Sequence, residues 1–254
     1  MREIDALGPL PTICDVQPAP SRASRPHADL TVGIEDRTTE KWIPSAMTRT
    51  SVYAINAEPW NAIGLLNLAM HGQVVLAGSG FMCAPDVFLT ARHNLTTKTY
   101  DAAGVWIAYD QKRNQSAQIA IRARAWHSTL DLAVLILAVP QSSTIPLGSS
   151  TSLTVSIGGY GIPYADGTMW LSTADGTVNG QNGVHVGYAI NTQEGDSGAP
   201  VLARLPGGAF TALAVHTTGQ GSLPDSNFGS LLTPQAISDI RQLVAYARNQ
   251  IKGE

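Results

Sequence analysis

Apolar residues in this chain come in short runs punctuated by glycine, proline and small polar residues, a pattern of many strands rather than of long helices. Ala62 to Leu68, Val74 to Met82 and Val87 to Thr90 are separated by His71-Gly72-Gln73 and by Ala84-Pro85-Asp86. Val105 to Tyr109, Gln118 to Ala125 with its alternating Ile119 and Ile121, and Leu132 to Leu137 continue the series. Between Val139 and Thr151, Pro140, Pro146 and Gly148 stand among serines and threonines, which predicts a crossover linker. A second set of runs follows: Thr154 to Gly159, Met169 to Ser172, Gly183 to Tyr188, Ala199 to Ala203, Phe210 to Val215 and Phe228 to Leu232. The last pattern has a helical period. Thr233 can cap it, Pro234 suits its first turn, and Ile237, Ile240, Leu243, Val244, Ala247 and Ile251 share one face. Two sets of about six strands and a terminal helix over 234–251 predict an all-β protein of two packed barrels, near residues 50–140 and 150–232.

Composition narrows the classes open to such a fold. Of 254 residues, 44% are hydrophobic and only 14% charged, which argues against a disordered chain. A net charge of -3 supplies no basic field for nucleic acid or an anionic membrane, and no stretch approaches the ~20 apolar residues of a membrane span. Cys14 and Cys83 are the two cysteines; a single disulfide and two idle thiols both remain open. Residues 1–30 have no strand or helix period, with Pro9, Pro11, Pro18, Pro20 and Pro26 spread through them, and predict a separate arm or pro-segment. Arg2, Glu3 and Asp5 precede no apolar core of a secretory signal, so the expected location is cytoplasmic, or outside by a non-standard route.

The strongest chemical signal is Glu194-Gly195-Asp196-Ser197-Gly198-Ala199-Pro200. Glycines around a serine permit a sharp turn whose amides at Gly195 and Ser197 can converge on a developing oxyanion. Glycine-serine turns are also common connectors, so this one needs a base and an orienting group. His93 follows the apolar run Val87 to Thr90 and can be held at a barrel mouth. Asp131 opens Asp131-Leu132-Ala133-Val134, where a carboxylate against apolar residues needs a hydrogen-bond donor such as an imidazole. His27, His71, His127 and His185 are read as ordinary surface or core histidines. The order His93, Asp131, Ser197, with two groups in one strand set and the third in the other, puts the reacting groups between two barrels.

Taken together, these motifs resemble those of the chymotrypsin-like serine proteases. Across roughly residues 30 to 250 the chain is most similar to the bacterial glutamyl-endopeptidase branch, through Thr90-Ala91-Arg92-His93, Asp131-Leu132-Ala133-Val134, Gly159-Tyr160-Gly161, Thr168-Met169-Trp170 and Gly195-Asp196-Ser197-Gly198. The resemblance implies two six-stranded antiparallel β-barrels with a C-terminal helix, a serine endopeptidase with no cofactor or metal, and polypeptide substrates. His93 would be the base, Asp131 its orienter, Ser197 the nucleophile, and Gly195 and Ser197 the oxyanion donors. Thr192 and His216 would bind a substrate carboxylate, giving cleavage after Glu and less readily after Asp. The other reading of His216 is a core-strand histidine. Asn191 rather than an acid stands at the expected pocket base, and Glu194 brings a negative charge close by. Thr217 is implied either in the pocket or hydrogen-bonded to Asp131.

The resemblance also bears on the N-terminal arm. Val32-Gly33-Ile34-Glu35-Asp36-Arg37 resembles the start of mature enzymes of this branch, which makes residues 1–30 a candidate pro-segment removed by an activating protease or by self-cleavage. Asp196, beside the nucleophile, needs a partner: a freed α-amino group on that reading, backbone amides on the other. Several weaker signals lead nowhere. No His-Glu-x-x-His occurs, Gly78-Ser79-Gly80 lacks the rest of a dinucleotide fingerprint, and Asn94-Leu95-Thr96 and Asn114-Gln115-Ser116 match only a glycosylation pattern. Aromatics are too sparse for a single-strand nucleic-acid platform. The alternatives are a catalytically silent binding module of the same fold and an active protease of different specificity.

Overall fold

Strands covered on both faces need apolar residues at every position, and strands with one wet face need them at alternate positions. Both kinds occur in the computed structural model of the chain, which describes residues 49–113, 116–148, 154–161, 171–181, 183–218 and 226–252. The candidate arm, Cys14, His27 and Thr168-Met169-Trp170 lie outside the described residues.

The first half runs β1 (Thr50–Ser51), β2 (Ile63–Met70), β3 (Gln73–Ala84), β4 (Val87–Thr90), the short α1 (His93–Thr96), β5 (Ala102–Ile107), β6 (Ile119–Trp126) and β7 (Ala133–Leu137). Strands β2-β3-β4-β7-β6-β5 close into an antiparallel barrel. His71 and Gly72 take positive φ values of 52° and 78° at the β2–β3 turn, matching the twist of a two-residue hairpin. Every residue of β7 is buried.

The second half runs β8 (Thr154–Gly159), β9 (Ser172–Gln181), β10 (His185–Tyr188), β11 (Pro200–Arg204), β12 (Phe210–Thr218) and β13 (Asn227–Leu231), followed by α2 (Pro234–Lys252). The order β9-β10-β13-β12-β11-β8 is closed by pairing of β8 with β9, giving the second six-stranded barrel. β1 adds to β9 through Thr50–Thr173 and Ser51–Ser172. This is the chymotrypsin-like double barrel that the resemblance implies.

One strand differs from the sequence expectation. β9 begins at Ser172, where the expected strand Met169–Ser172 ends, and continues through a polar segment. It forms because both edges are paired, Ser172–Thr177 with β8 and Val178–Gln181 with β10. The strands expected at Val87–Thr90 and Thr154–Gly159 form with those bounds, and the other expected strands form with shifted ends. In the linker, Ile145 donates to the Met82 carbonyl in the first barrel, and Leu147 makes a parallel bridge to Ala212 in the second.

The helix starts where its cap predicts: Thr233 Oγ1 accepts the Ala236 N–H at 3.1 Å. Ala236, Ile240, Leu243 and Ala247 are buried on its inner face. Although α2 follows the second barrel, it packs on β6 and β7 of the first. His127 Nε2 lies 3.3 Å from Asp239, and Arg248 pairs with Asp86. The helix therefore covers the outside of the first barrel and leaves the inter-barrel face to the functional residues.

Candidate active site

His93 opens α1, directly beyond the buried end of β4, and Asp131 stands two residues before β7, the strand paired with β4. That pairing brings them together. Asp131 Oδ2 is 2.6 Å from His93 Nδ1, and Oδ1 accepts the His93 backbone N–H at 2.9 Å. One carboxylate thus fixes both the ring and the main chain of one residue. Burial pushes the Asp131 carboxyl up, but hydrogen bonds and charge from His93, with Arg92 adding charge, outweigh it and hold the group below its ordinary range. Arg92 is itself fixed on the His127 and Ser128 carbonyls.

Ser197 belongs to the second barrel, yet its backbone is held by the first. Its carbonyl accepts the Ser79 N–H at 2.8 Å and the Asn94 side-chain amide at 2.8 Å, so the residue after His93 grips Ser197. Gly198 has φ +92°, and a Cβ there would lie 2.0 Å from the Ser79 carbonyl, so only glycine lets the two barrels approach. Gly195 also has φ +92°, and its carbonyl accepts the Ser79 hydroxyl at 2.7 Å. Among the described residues, the Gly195 and Ser197 N–H groups make no hydrogen bond, whereas Asp196, Gly198 and Ala199 donate to Gln193, His216 and Asp196 carbonyls. The amides of Gly195 and of Ser197 itself are thereby unbonded among the described residues, an arrangement able to receive an oxyanion. The Ser197 hydroxyl donates to the Thr217 carbonyl at 3.2 Å.

The expected pocket residues lie on two walls beside β13. On one wall, Asn227 donates from its amide to the Ile190 carbonyl, positioning the segment that leads to Asn191 and Thr192. Thr192 is buried, and its Oγ1 has no hydrogen-bond partner among the described residues. On the other wall, His216 is fully buried in β12, with Nδ1 2.6 Å from the hydroxyl of the fully buried Tyr188. The Thr217 hydroxyl donates to the Phe228 carbonyl at 3.4 Å, so the expected hydrogen bond from Thr217 to Asp131 does not form among the described residues.

Other sequence readings resolve in the same region. Asp196 finds its cation in the guanidinium of Arg49, 3.0 Å away, and accepts the Gln193 N–H at 2.8 Å. Asn94 is buried with its amide on Ser197 and Thr90, which leaves no room for a sugar. Cys83 is a free thiol whose burial pushes its pKa up to about 12, so it is neutral and unreactive. Among the described residues, no group of His, Cys, Asp and Glu could hold a metal ion, and no helix is long and apolar enough to cross a membrane.

Ser79 and Tyr160 are site residues the sequence reading missed. The Ser79 hydroxyl, placed between Gly195 and Tyr160, accepts the Tyr160 N–H at 2.8 Å. Tyr160 in turn accepts the Tyr109 N–H on its phenol oxygen. The available signal for Ser79 was its place in a glycine-flanked β-strand, which allows another backbone to come close. Ser79→Ala leaves the Gly195 carbonyl and the Tyr160 N–H unpaired. We expect it to cost about 1–3 kcal/mol of stability and about tenfold in turnover, measured by thermal melting and by kcat on one peptide; an unchanged kcat would remove Ser79 from the support of the turn.

Comparison with known proteins gives concordant results. A family model described as trypsin-like peptidase domain matches residues 78–208, a span that includes His93, Asp131 and Ser197. A solved Glu endopeptidase in complex with MPD superposes with a TM-score of 0.64 at 20% identity, covering 76% of this chain and 95% of that one. A chain described as GrC does so with a TM-score of 0.58 at 14% identity, covering 73% and 94%. At these identities the likeness is one of fold. No curated protein matches the chain significantly.

Proposed function

The chain belongs to the trypsin-like peptidase family, and from that premise we propose that it is a serine endopeptidase working through an acyl-enzyme, with preference for Glu and then Asp before the scissile bond. The observation that carries the mechanism is the double attachment of Asp131 to His93 beside the amides of Gly195 and Ser197, unbonded among the described residues. With Nδ1–H donated to Asp131, the imidazole presents an unprotonated Nε2 as base. The Ser197 Oγ–H proton passes to Nε2 as Oγ attacks the peptide carbonyl. The oxyanion is received by the Gly195 and Ser197 N–H groups. Collapse breaks the C–N bond and gives the proton to the leaving amine; water then hydrolyses the ester by the same proton route. In the free protein Oγ rests on the Thr217 carbonyl, and substrate must draw it toward the imidazole, as is common for catalytic hydrogen bonds before substrate binds.

Glu preference is supported by the two walls beside β13. A buried hydroxyl without a partner is costly unless a ligand completes it, and among the described residues Thr192 Oγ1 is such a group. His216, its ring fixed by Tyr188, adds a donor or a charge for a substrate carboxylate, and Asn191 adds no repelling acid. The fold likeness to a Glu endopeptidase agrees with this reading.

A fluorophosphonate probe should label Ser197, and a peptide library should show cleavage after Glu, with Asp second. Absence of labelling would favour a silent binding module of the same fold; equal cleavage after Lys or Leu would overturn the specificity. Thr192→Val should lower kcat/KM after Glu by about tenfold, one lost charged hydrogen bond, while leaving any slow cleavage after Leu unchanged.

A further inference from the structure

Asp131 stands on the loop that joins β6 to β7, residues 127–132, and such a loop fixes a carboxylate only where its own backbone groups are held. One backbone bond closes its base, from the His127 N–H to the Leu132 carbonyl at 2.9 Å. Two inner N–H groups go to a side chain instead: Thr129 and Leu130 donate to His127 Nδ1 at 3.1 Å and 2.9 Å. A backbone N–H can only donate, so the ring nitrogen that faces two of them accepts and carries no proton. The ring proton therefore sits on Nε2, 3.3 Å from Asp239 Oδ2 on α2. Asp239 is oriented in turn by Gln235, whose amide donates to Oδ1 at 2.8 Å. The His127 and Asp239 side chains are only 16% and 19% exposed. From the other side Arg92, the residue before His93, donates to the His127 and Ser128 carbonyls.

We propose that His127 is a positioning residue for Asp131: its Nδ1 holds the β6–β7 loop in the shape that presents the carboxylate to His93, and its Nε2 ties that loop to the C-terminal helix. This rests on the serine-peptidase reading. Asp131 accepts at both oxygens from one residue, so a small displacement of its backbone breaks a two-point fit. It follows Leu130 directly, so the Leu130 N–H and the carboxylate move together. Arg92 cannot replace the histidine, because a guanidinium only donates and leaves the Thr129 and Leu130 N–H groups without their acceptor. Asp131 steadies an imidazolium that forms only as Ser197 attacks, so loosening it falls on the transition state more than on substrate binding. The helix thereby has a part in the site although it packs on the outside of the first barrel, against β6 and β7.

The test separates the two ring nitrogens in the full chain. His127→Gln reaches Asp239 through its amide but has no acceptor at the Nδ1 position. It should lower kcat on the best library peptide by about tenfold with KM within about threefold, a fraction of what a misplacement of about 1 Å can cost. His127→Asn places Oδ1 where Nδ1 stood, and an asparagine oxygen takes the N–H two residues on. It should recover all but about threefold of that loss, although the contact with Asp239 is gone. In the unsubstituted chain, the nitrogen NMR shifts of the His127 ring should show a bare Nδ1 and a protonated Nε2. Intact kcat in folded His127→Gln, whatever its melting temperature, would reduce the contact to a structural one and overturn the proposal. Equal losses in the two variants would overturn it as well, by placing the effect on the bulk of the ring rather than on Nδ1. A proton on Nδ1 would overturn it without any variant, and that measurement decides if neither variant folds. Failure of the unsubstituted chain to take a fluorophosphonate at Ser197 would instead sink the serine-peptidase reading, and this proposal with it.

Discussion

Ser197→Ala is expected to lower kcat/KM on peptides by about 10⁶-fold, the scale seen when a nucleophile acting with its base as a unit is removed. The fold should survive, because the parts of Ser197 that hold the molecule together are not its hydroxyl. Its carbonyl stays bound to the Ser79 N–H and the Asn94 amide, and the Gly198 N–H stays on the His216 carbonyl. What disappears is one 3.2 Å hydrogen bond to the Thr217 carbonyl, about 1 kcal/mol, or about 2–4 °C in melting temperature for a protein of this size. A folded variant with wild-type turnover would end the assignment of Ser197. A variant that melts far below the wild type would show instead that the hydroxyl stabilises the turn more than its single hydrogen bond implies.

How far the sequence reveals this protein depends on how local each determinant is. Strands β4 and β7 were visible because their apolar runs are continuous and bounded by turn residues. The His93, Asp131 and Ser197 positions were visible because each sits in a short motif with its own backbone logic. β9 was hidden because its composition, Ser172-Thr173-Ala174-Asp175-Gly176, carries no hydrophobic period; pairing on both edges makes it a strand. Arg49 was hidden for a similar reason. It is one basic residue in a polar run, and its partners Ser172 and Asp196 become neighbours only when β1 joins β9 and the turn folds beneath Ser197. Tyr188 reaches His216 across β13, a proximity that sheet order decides and that local sequence does not encode.

The support of Ser197 by the first barrel has a consequence for how the site is assembled. Ser79, Thr90 and Asn94 form a connected polar patch on that barrel: the Thr90 hydroxyl donates to the Ser79 carbonyl, and the Asn94 amide to Thr90 and to Ser197. Gly198 must lie against this patch for Ser197 to sit where it does. Neither barrel holds the serine turn alone, so docking of the barrels and assembly of the site are one event. Such buried polar contacts add to specificity of docking as well as to stability, since each is costly when left unpaired.

Asp131→Asn should cost about 10⁴ in turnover with the fold retained. The wild-type carboxylate accepts at both oxygens, from Nδ1 and from the backbone N–H of His93. An asparagine has one acceptor oxygen. If that oxygen keeps the backbone N–H, its NH₂ faces Nδ1, which must then accept; the ring proton moves to Nε2 and the base is lost. Stability gives a second, independent readout. The folded-state pKa of Asp131 lies below the ordinary 3.8, so folding favours the ionised form. That contribution is fully present above pH 3.8 and is lost as pH falls through the lower folded value. The stability gap between wild type and Asp131→Asn should therefore close on acidification below about pH 4, measured by denaturant unfolding at a series of pH values. A gap that widened on acidification would mean that burial, which opposes ionisation here, outweighs the His93 hydrogen bonds. The pair would then be a strained one, kept for its geometry at a cost in stability.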